Sequence, residues 1–579
     1  MKKFTIITLI SLLITLIFPI AIKAEEDIII EQTEHNTTKL TMIVNDNVDE
    51  VQIDAYMLYN NEKCQTYTFK DKVVDNKINF DIGYFGKWYA TISLYNNGSL
   101  INEIKQEIIV TSTIYNIAYI DASLPILIFT LKLMDGSISY TEDGELIPTI
   151  MSFVRASQID WNELPENSTN NPYVDNELER DHFYKYPAMT QYMRDLYALN
   201  PESKFVLYYT DCYMYYEVPE VIWYENPIPE DQYKLILLTD GGLSYFYFQW
   251  AYDNVKDAQS RHNEMLDYLK KVKQDAENGI EIPKEGDPVF NSSLALYVYA
   301  LMDYLDGEWW LIRKASDTLA IKDENFLQKV LDDERVTSNY INGLLQIVQD
   351  DGKGEEYKKL FKFEDSDFDN VNDEEIMMIL GAGKRVEDSD PIEPYVDIIK
   401  QLYGDQYVYF YKGHPGYLPE LNEGRLEELQ AMDLVVLDSS IAAELFIFYH
   451  PEINLCGYTS STFQNAGTVE TDRALFGVNK KNAYENPDST TYAANMEYFI
   501  SHINPKQVHY DIRFRLNGED DFYLIENNEN NRYAIYNANT KEMKYYRRIY
   551  LRQIFYIVCT VAVLLLAYYL YKKIKKKEK

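Results

Sequence analysis

The sequence predicts an α/β protein: two successive α/β bodies, with a small β-sandwich before them and a membrane-spanning helix after them. Three observations carry this. Residues 28 to 112 alternate apolar and polar side chains with period two between Asn-rich turns, as strands with one buried face do. Twice, near 115 and near 375, the pattern changes to short apolar runs that end in glycines or helix-capping residues, the signature of strands feeding helices. Near the carboxyl end, residues 554 to 571 form a run of 18 residues without a formal charge.

Taken in order, residues 1–24 have a basic start, an apolar run and a final small Ala24, which reads as a secretory signal peptide. Residues 25–112 hold the sandwich, in segments such as "VQIDAYMLY" and "WYATISLYN", with a spacer or rigid support as its simplest role. Residues 113–375 form the first α/β body. It opens with "YNIAYI" and "DASLPILIFTLKLM", where Asp121 or Ser123 can cap a helix that tolerates Pro125 in its first turn. Further strands are expected in "IPTIMSFVRA", "KFVLYYTDCY" and "YKLILLTDGG", followed by a mostly helical stretch from about 250 to 350.

An acidic run, "FKFEDSDFDNVNDEE", lacks the glycine and glutamate placement of a calcium loop and reads as a linker, so no metal is expected. The second α/β body, 376–507, reads as strand "EIMMILGAG", helix "PYVDIIKQLY", strand "QYVYFYKGHPG", helix "RLEELQAM", strand "DLVVLDS", helix "IAAELFIFYH" and strand "INLCGYTSS". Helix "YAANMEYFISHI" follows, then short strands in a membrane-proximal segment, 508–553. Residues 554–571 are near the minimum length for a transmembrane helix. The basic tail, 572–579, places the carboxyl end in the cytoplasm by the positive-inside rule. The expected topology is single-pass type I, with the membrane as a partner and the main body extracytoplasmic.

The net charge of −37 conceals a basic carboxyl end, so the body is strongly acidic and excludes nucleic acid as a general partner. Three segments carry candidate chemistry. In "LLTDGGLSY", Asp240 at a strand end can accept a proton from a sugar hydroxyl, or simply make an Asp-Gly turn. In "YKGHPG", Lys412 can neutralise a phosphate and His414 can donate to a leaving phosphate oxygen; a surface histidine in a turn is the bland alternative. In "GYTSSTF", Ser460 and Ser461 can clamp phosphate, while Glu444 in the preceding helix can take two ribose hydroxyl bonds; a helix cap and an unrelated acid compete with that.

The order "YIDASLP", "TDGG", "YKGHPG", "AAELFIFYHPEINLCGYTSS" resembles the bacterial sialyltransferases of glycosyltransferase family 80, over residues 113 to about 505. The resemblance implies the GT-B fold, two Rossmann-like domains, preceded by an immunoglobulin-like sandwich. It implies inverting transfer of sialic or a related nonulosonic acid from a CMP-linked donor to a glycan hydroxyl, without a cofactor. By motif, Asp240 would be the general base and His414 would support departure of cytidine monophosphate. Ala122, Ser123, Lys412, Glu444, Ser460 and Ser461 would contact the donor. The sequence departs from the family at Thr239, where a second acid is usual, and in "YYTDCYMYY", which has no histidine where the family's corresponding segment carries one and where Asp211 can stand in its place. A catalytically inactive descendant, retained as a surface glycan-binding or structural protein, is the competing expectation.

Overall fold

The computed structural model describes residues 28–153, 159–174, 182–211, 228–253, 255–280, 298–369, 371, 375–382, 391–414, 423–458, 460, 462–463, 472–477, 508–516, 519–527, 529–530, 532–547, 564–565 and 568. It divides into two compact units at Lys362/Phe363.

The first unit begins with seven strands: β1 (Ile28–Gln32), β2 (Lys39–Val44), β3 (Glu50–Tyr59), β4 (Glu62–Lys72), β5 (Lys77–Asp81), β6 (Gly86–Asn96) and β7 (Ser99–Val110). They form two antiparallel sheets, ordered β1-β2-β5 and β4-β3-β6-β7. Burial alternates along β2 and β3, as expected of strands with one face on a core. This body is tied to the rest of the unit by hydrogen bonds: Tyr192 donates to the Phe85 carbonyl at 2.7 Å and Ser203 to the Ser112 carbonyl at 2.6 Å.

Seven more strands follow: β8 (Ile114–Ile120), β9 (Thr149–Phe153), β10 (Ser168–Asn170), β11 (Lys204–Thr210), β12 (Tyr233–Leu238), β13 (Glu308–Leu311) and β14 (Val336–Ser338). They make one wholly parallel sheet, ordered β10-β9-β8-β11-β12-β13-β14. The direction of winding reverses between β8 and β11, which is where doubly wound sheets open a crevice at their carboxyl edge. Strand β8 is buried along nearly its whole length, and helix Ser123–Met134 is apolar on almost every side with ten of its residues buried. Both patterns fit elements covered from more than one direction.

The second unit repeats the scheme: β15 (Glu375–Leu380), β16 (Tyr407–Lys412), β17 (Val435–Leu437), β18 (Asn454–Tyr458), β19 (Asp472–Gly477) and β20 (Tyr510–Leu516) lie parallel in the order β17-β16-β15-β18-β19-β20. The same sheet continues antiparallel through β21 (Glu519–Asn527), β22 (Arg532–Asn537) and β23 (Glu542–Arg547). Its reversal point lies between β15 and β18. There Gly457 has φ +130°, and a Cβ on it would sit 2.3 Å from the Leu380 carbonyl oxygen. Only glycine lets the two backbones approach so closely.

Two expectations are corrected. Among the described residues no helix is long and apolar enough to cross a membrane. The predicted transmembrane helix at 554–571 is therefore withdrawn, and with it the single-pass type I placement and the membrane as partner. Most of that run lies outside the described residues; Leu564, Leu565 and Tyr568 are helical and exposed. An uncharged run at the lower limit of spanning length fixes composition, not a continuous helix. The immunoglobulin-like label is also replaced, by the observed pair of antiparallel sheets with three and four strands. The signal peptide at 1–24, helix "YAANMEYFISHI" and the basic tail at 572–579 fall outside the described residues.

Candidate active site

In the first unit the candidate residues sit at the carboxyl ends of three neighbouring strands, β8, β11 and β12. Asp121 follows β8 and is buried. Its backbone N–H donates to Thr210 Oγ1 at 2.9 Å, and that hydroxyl donates back to the Asp121 carbonyl at 2.8 Å, clamping the ends of β8 and β11. The expected cap role of Asp121 or Ser123 is not what forms. Ala122 occupies the cap position with φ 73° and ψ 150°, while Asp121 Oδ1 accepts from the Ala122 N–H at 2.7 Å. That backbone region is nearly confined to glycine and costs an alanine on the order of 1–3 kcal/mol. Ser123, half-buried, is the first residue of the helix.

Asp240 lies two residues beyond β12, half-buried, and is followed by Gly241 at φ 126° and helix Gly242–Asp253. Thr239 before it is fully buried and donates through both Oγ1, at 2.9 Å, and its backbone N–H, at 3.1 Å, to the Trp310 carbonyl. Beneath this turn lies Asp211, fully buried directly after β11. Its Oδ1 accepts from the Asp240 N–H at 3.2 Å and from the Ser244 hydroxyl at 2.6 Å. Its Oδ2 accepts from the Trp309 indole at 2.9 Å. Burial pushes the Asp211 carboxyl up to about 6, against the pull of its hydrogen bonds from Ser244, Trp309 and the Asp240 amide. The sequence pointed to Asp211 as a departure; its partners Ser244 and Trp309 carried no local signal.

In the second unit the corresponding ends belong to β17, β16, β15 and β18. Lys412 closes β16 and is buried, with its ammonium donating to the Gly413 carbonyl at 2.8 Å and the Ser439 carbonyl at 3.0 Å. His414, half-buried, follows two residues later. Glu444 is buried in the first turn of helix Ala443–Tyr449. Burial holds its carboxyl above the usual range, opposed by a hydrogen bond with Thr462 and by the positive charge of Lys412. Ser460 Oγ in turn donates to Thr462 Oγ1 at 3.0 Å and accepts from the Thr462 N–H at 3.2 Å. The structure thus brings Lys412, Glu444 and Ser460 into one cluster, with Thr462 as a link that the sequence reading missed. Ser461 lies outside the described residues.

Two buried oxygens in this cluster, Glu444 Oε1 and Ser439 Oγ, have no hydrogen-bond partner among the described residues. Ser439 and Ser440 follow β17 and are both buried; Ser440 is held by Asp438 at 2.6 Å. They too went unnoticed in the sequence, though "VLDSS" ends an apolar strand on small polar residues as the other segments do. Among the described residues no group of three or more His, Cys, Asp or Glu is arranged to hold a metal ion.

No family model matches the chain, and no curated protein does. Solved structures do. A 2,6-sialyltransferase from Photobacterium sp. JT-ISH-224, determined with the donor product CMP and the acceptor substrate lactose, is similar over 82% of this chain and 94% of its own, with TM-score 0.51 and 13% identity. An α/β-galactoside α-2,3-sialyltransferase from Photobacterium phosphoreum aligns over 69% and 98%, with TM-score 0.49 and 12% identity. A UDP-GlcNAc 2-epimerase from Methanocaldococcus jannaschii aligns over 67% and 91%, with TM-score 0.35 and 10% identity. The fold therefore resembles that of the bacterial sialyltransferases, which is GT-B-like, at low sequence identity.

Proposed function

We propose that the chain is an inverting glycosyltransferase that moves sialic or a related nonulosonic acid from a CMP-linked donor to a glycan hydroxyl. The observation that carries this reading is the second-unit cluster. One oxygen of a buried carboxylate, Glu444 Oε1, and a buried hydroxyl, Ser439 Oγ, have no hydrogen-bond partner among the described residues and sit with a buried lysine at the carboxyl edge of a doubly wound sheet. Buried polar atoms are rarely left unsatisfied, and the hydroxyls of a ribose would satisfy these. The similarity to a fold that binds CMP in the Photobacterium enzyme supports the same choice of nucleotide.

In this mechanism Asp240 takes the proton from the acceptor hydroxyl as that oxygen bonds to the anomeric carbon and the bond from the anomeric carbon to the phosphate oxygen breaks, releasing cytidine monophosphate. His414 donates to the departing phosphate and Lys412 offsets its charge. Glu444 holds the ribose, Ser460 and Ser461 hold the phosphate, and Ala122 and Ser123 present backbone to the donor. Asp240 has the environment of a working base: half-exposed, on a glycine-flanked turn, with its backbone fixed from below.

The test is release of cytidine monophosphate from CMP-linked sialic acid in the presence of mixed glycans. Turnover by the purified protein, reduced at least about a hundredfold in Asp240→Ala with the fold intact, is the expected result. No turnover and no donor binding across a broad acceptor panel would reject it. Retained glycan affinity without turnover would favour the competing reading of an inactive glycan-binding descendant, which Thr239 in place of a second acid also suits.

A further inference from the structure

We propose that Asp211 is a positioning residue that holds the Asp240 turn in its working geometry. This rests on the transferase reading. A buried carboxylate is costly unless it is well bonded, and Asp211 is bonded to the base's own turn and to that turn's support. One oxygen takes the backbone N–H of Asp240 at 3.2 Å and the hydroxyl of Ser244, at the start of the helix behind it, at 2.6 Å. Ser244 Oγ also accepts from the Asp240 N–H, at 3.1 Å, so the amide is shared between two acceptors that are themselves joined. The other oxygen is fixed by the Trp309 indole on β13 at 2.9 Å.

Asp211 therefore links β11, the turn after β12 and β13 through one carboxylate. Gly241, at φ 126°, gives the turn little stiffness of its own, so the hydrogen bonds from below decide where Asp240 points. A displacement of about 1 Å in a catalytic group can cost about a hundredfold in rate. Asp211 does not touch the acceptor in this account; it acts through Asp240.

The experiment uses the full chain with Asp211→Asn, and Ser244→Ala as a second variant in case the first fails to fold. An asparagine cannot present acceptors both to the indole and to the amide–hydroxyl pair, because one side then meets an NH2 group. Hydrogen exchange at the amides of residues 240 to 244 is measured without substrate, and CMP release is measured with donor and glycans. The expected result is exchange accelerated at least about tenfold at those amides. In the same variant kcat falls about ten- to a hundredfold, and KM for the donor stays within about twofold. Unchanged exchange, or loosened exchange with an unchanged kcat, would overturn the proposal. A wild-type protein that turns over no CMP-linked sugar would overturn the transferase reading instead and remove Asp211's catalytic role with it. That failure is recognisable because the exchange change would still be seen.

Discussion

At Asp211 the cost of desolvating a carboxylate falls on the folded state alone, and this sets the sign of a pH effect. Its folded-state value is raised to about 6, so the native protein holds the proton more tightly than the unfolded chain. The resulting stabilisation is complete below the unfolded value of about 4 and is lost as pH rises through about 6, amounting to roughly 3 kcal/mol. Comparing Asp211→Asn with wild type by urea unfolding at pH 4 and pH 7.5 isolates this term from other titrating groups. The variant should gain relative to wild type by that amount on going to the higher pH. Ala122 offers a second residue-scale check. Since its φ of 73° and ψ of 150° suit glycine, Ala122→Gly should raise stability by about 1 kcal/mol in thermal unfolding, where an ordinary Ala→Gly change lowers it.

Among the elements, the reversal point of the second sheet tolerates least change. Gly457→Ala would drive a methyl group into the Leu380 backbone from an unfavourable φ, and should cost at least about 3 kcal/mol, read as a lowered unfolding midpoint. The apolar runs ending on glycine or small polar residues made strands such as β12, β16 and β18 readable, and so placed Asp240, Lys412 and Ser460 at strand ends. Strands β13 and β14 were not readable. At four and three residues they are too short for a periodic signal, and they lie in a stretch whose longer segments are helical. The Asp211–Trp309 bond was hidden for a related reason: its partners are 98 residues apart, and only the placement of β13 in the sheet brings them together. The membrane helix expected at 554–571 rested on composition alone, and among the described residues no helix is long and apolar enough to cross a membrane.

At the scale of the whole chain, division into two compact units implies that unfolding is not a single two-state event. Calorimetry should resolve two transitions. Lys412, Glu444 and Ser460 all belong to the second unit, so CMP should raise one transition more than the other. At a hundred times its Kd the nucleotide would add about 2.7 kcal/mol to the unit that holds it, an effect Glu444→Ala should largely abolish. Within that unit, β20 to β23 extend the sheet on the side away from β15 and β16. The last three joins are antiparallel, and such strands can be appended through tight turns without a crossover helix. The outer border of the sheet, on the side away from the strand ends that carry Lys412, is therefore the natural place to graft a tag or a second module.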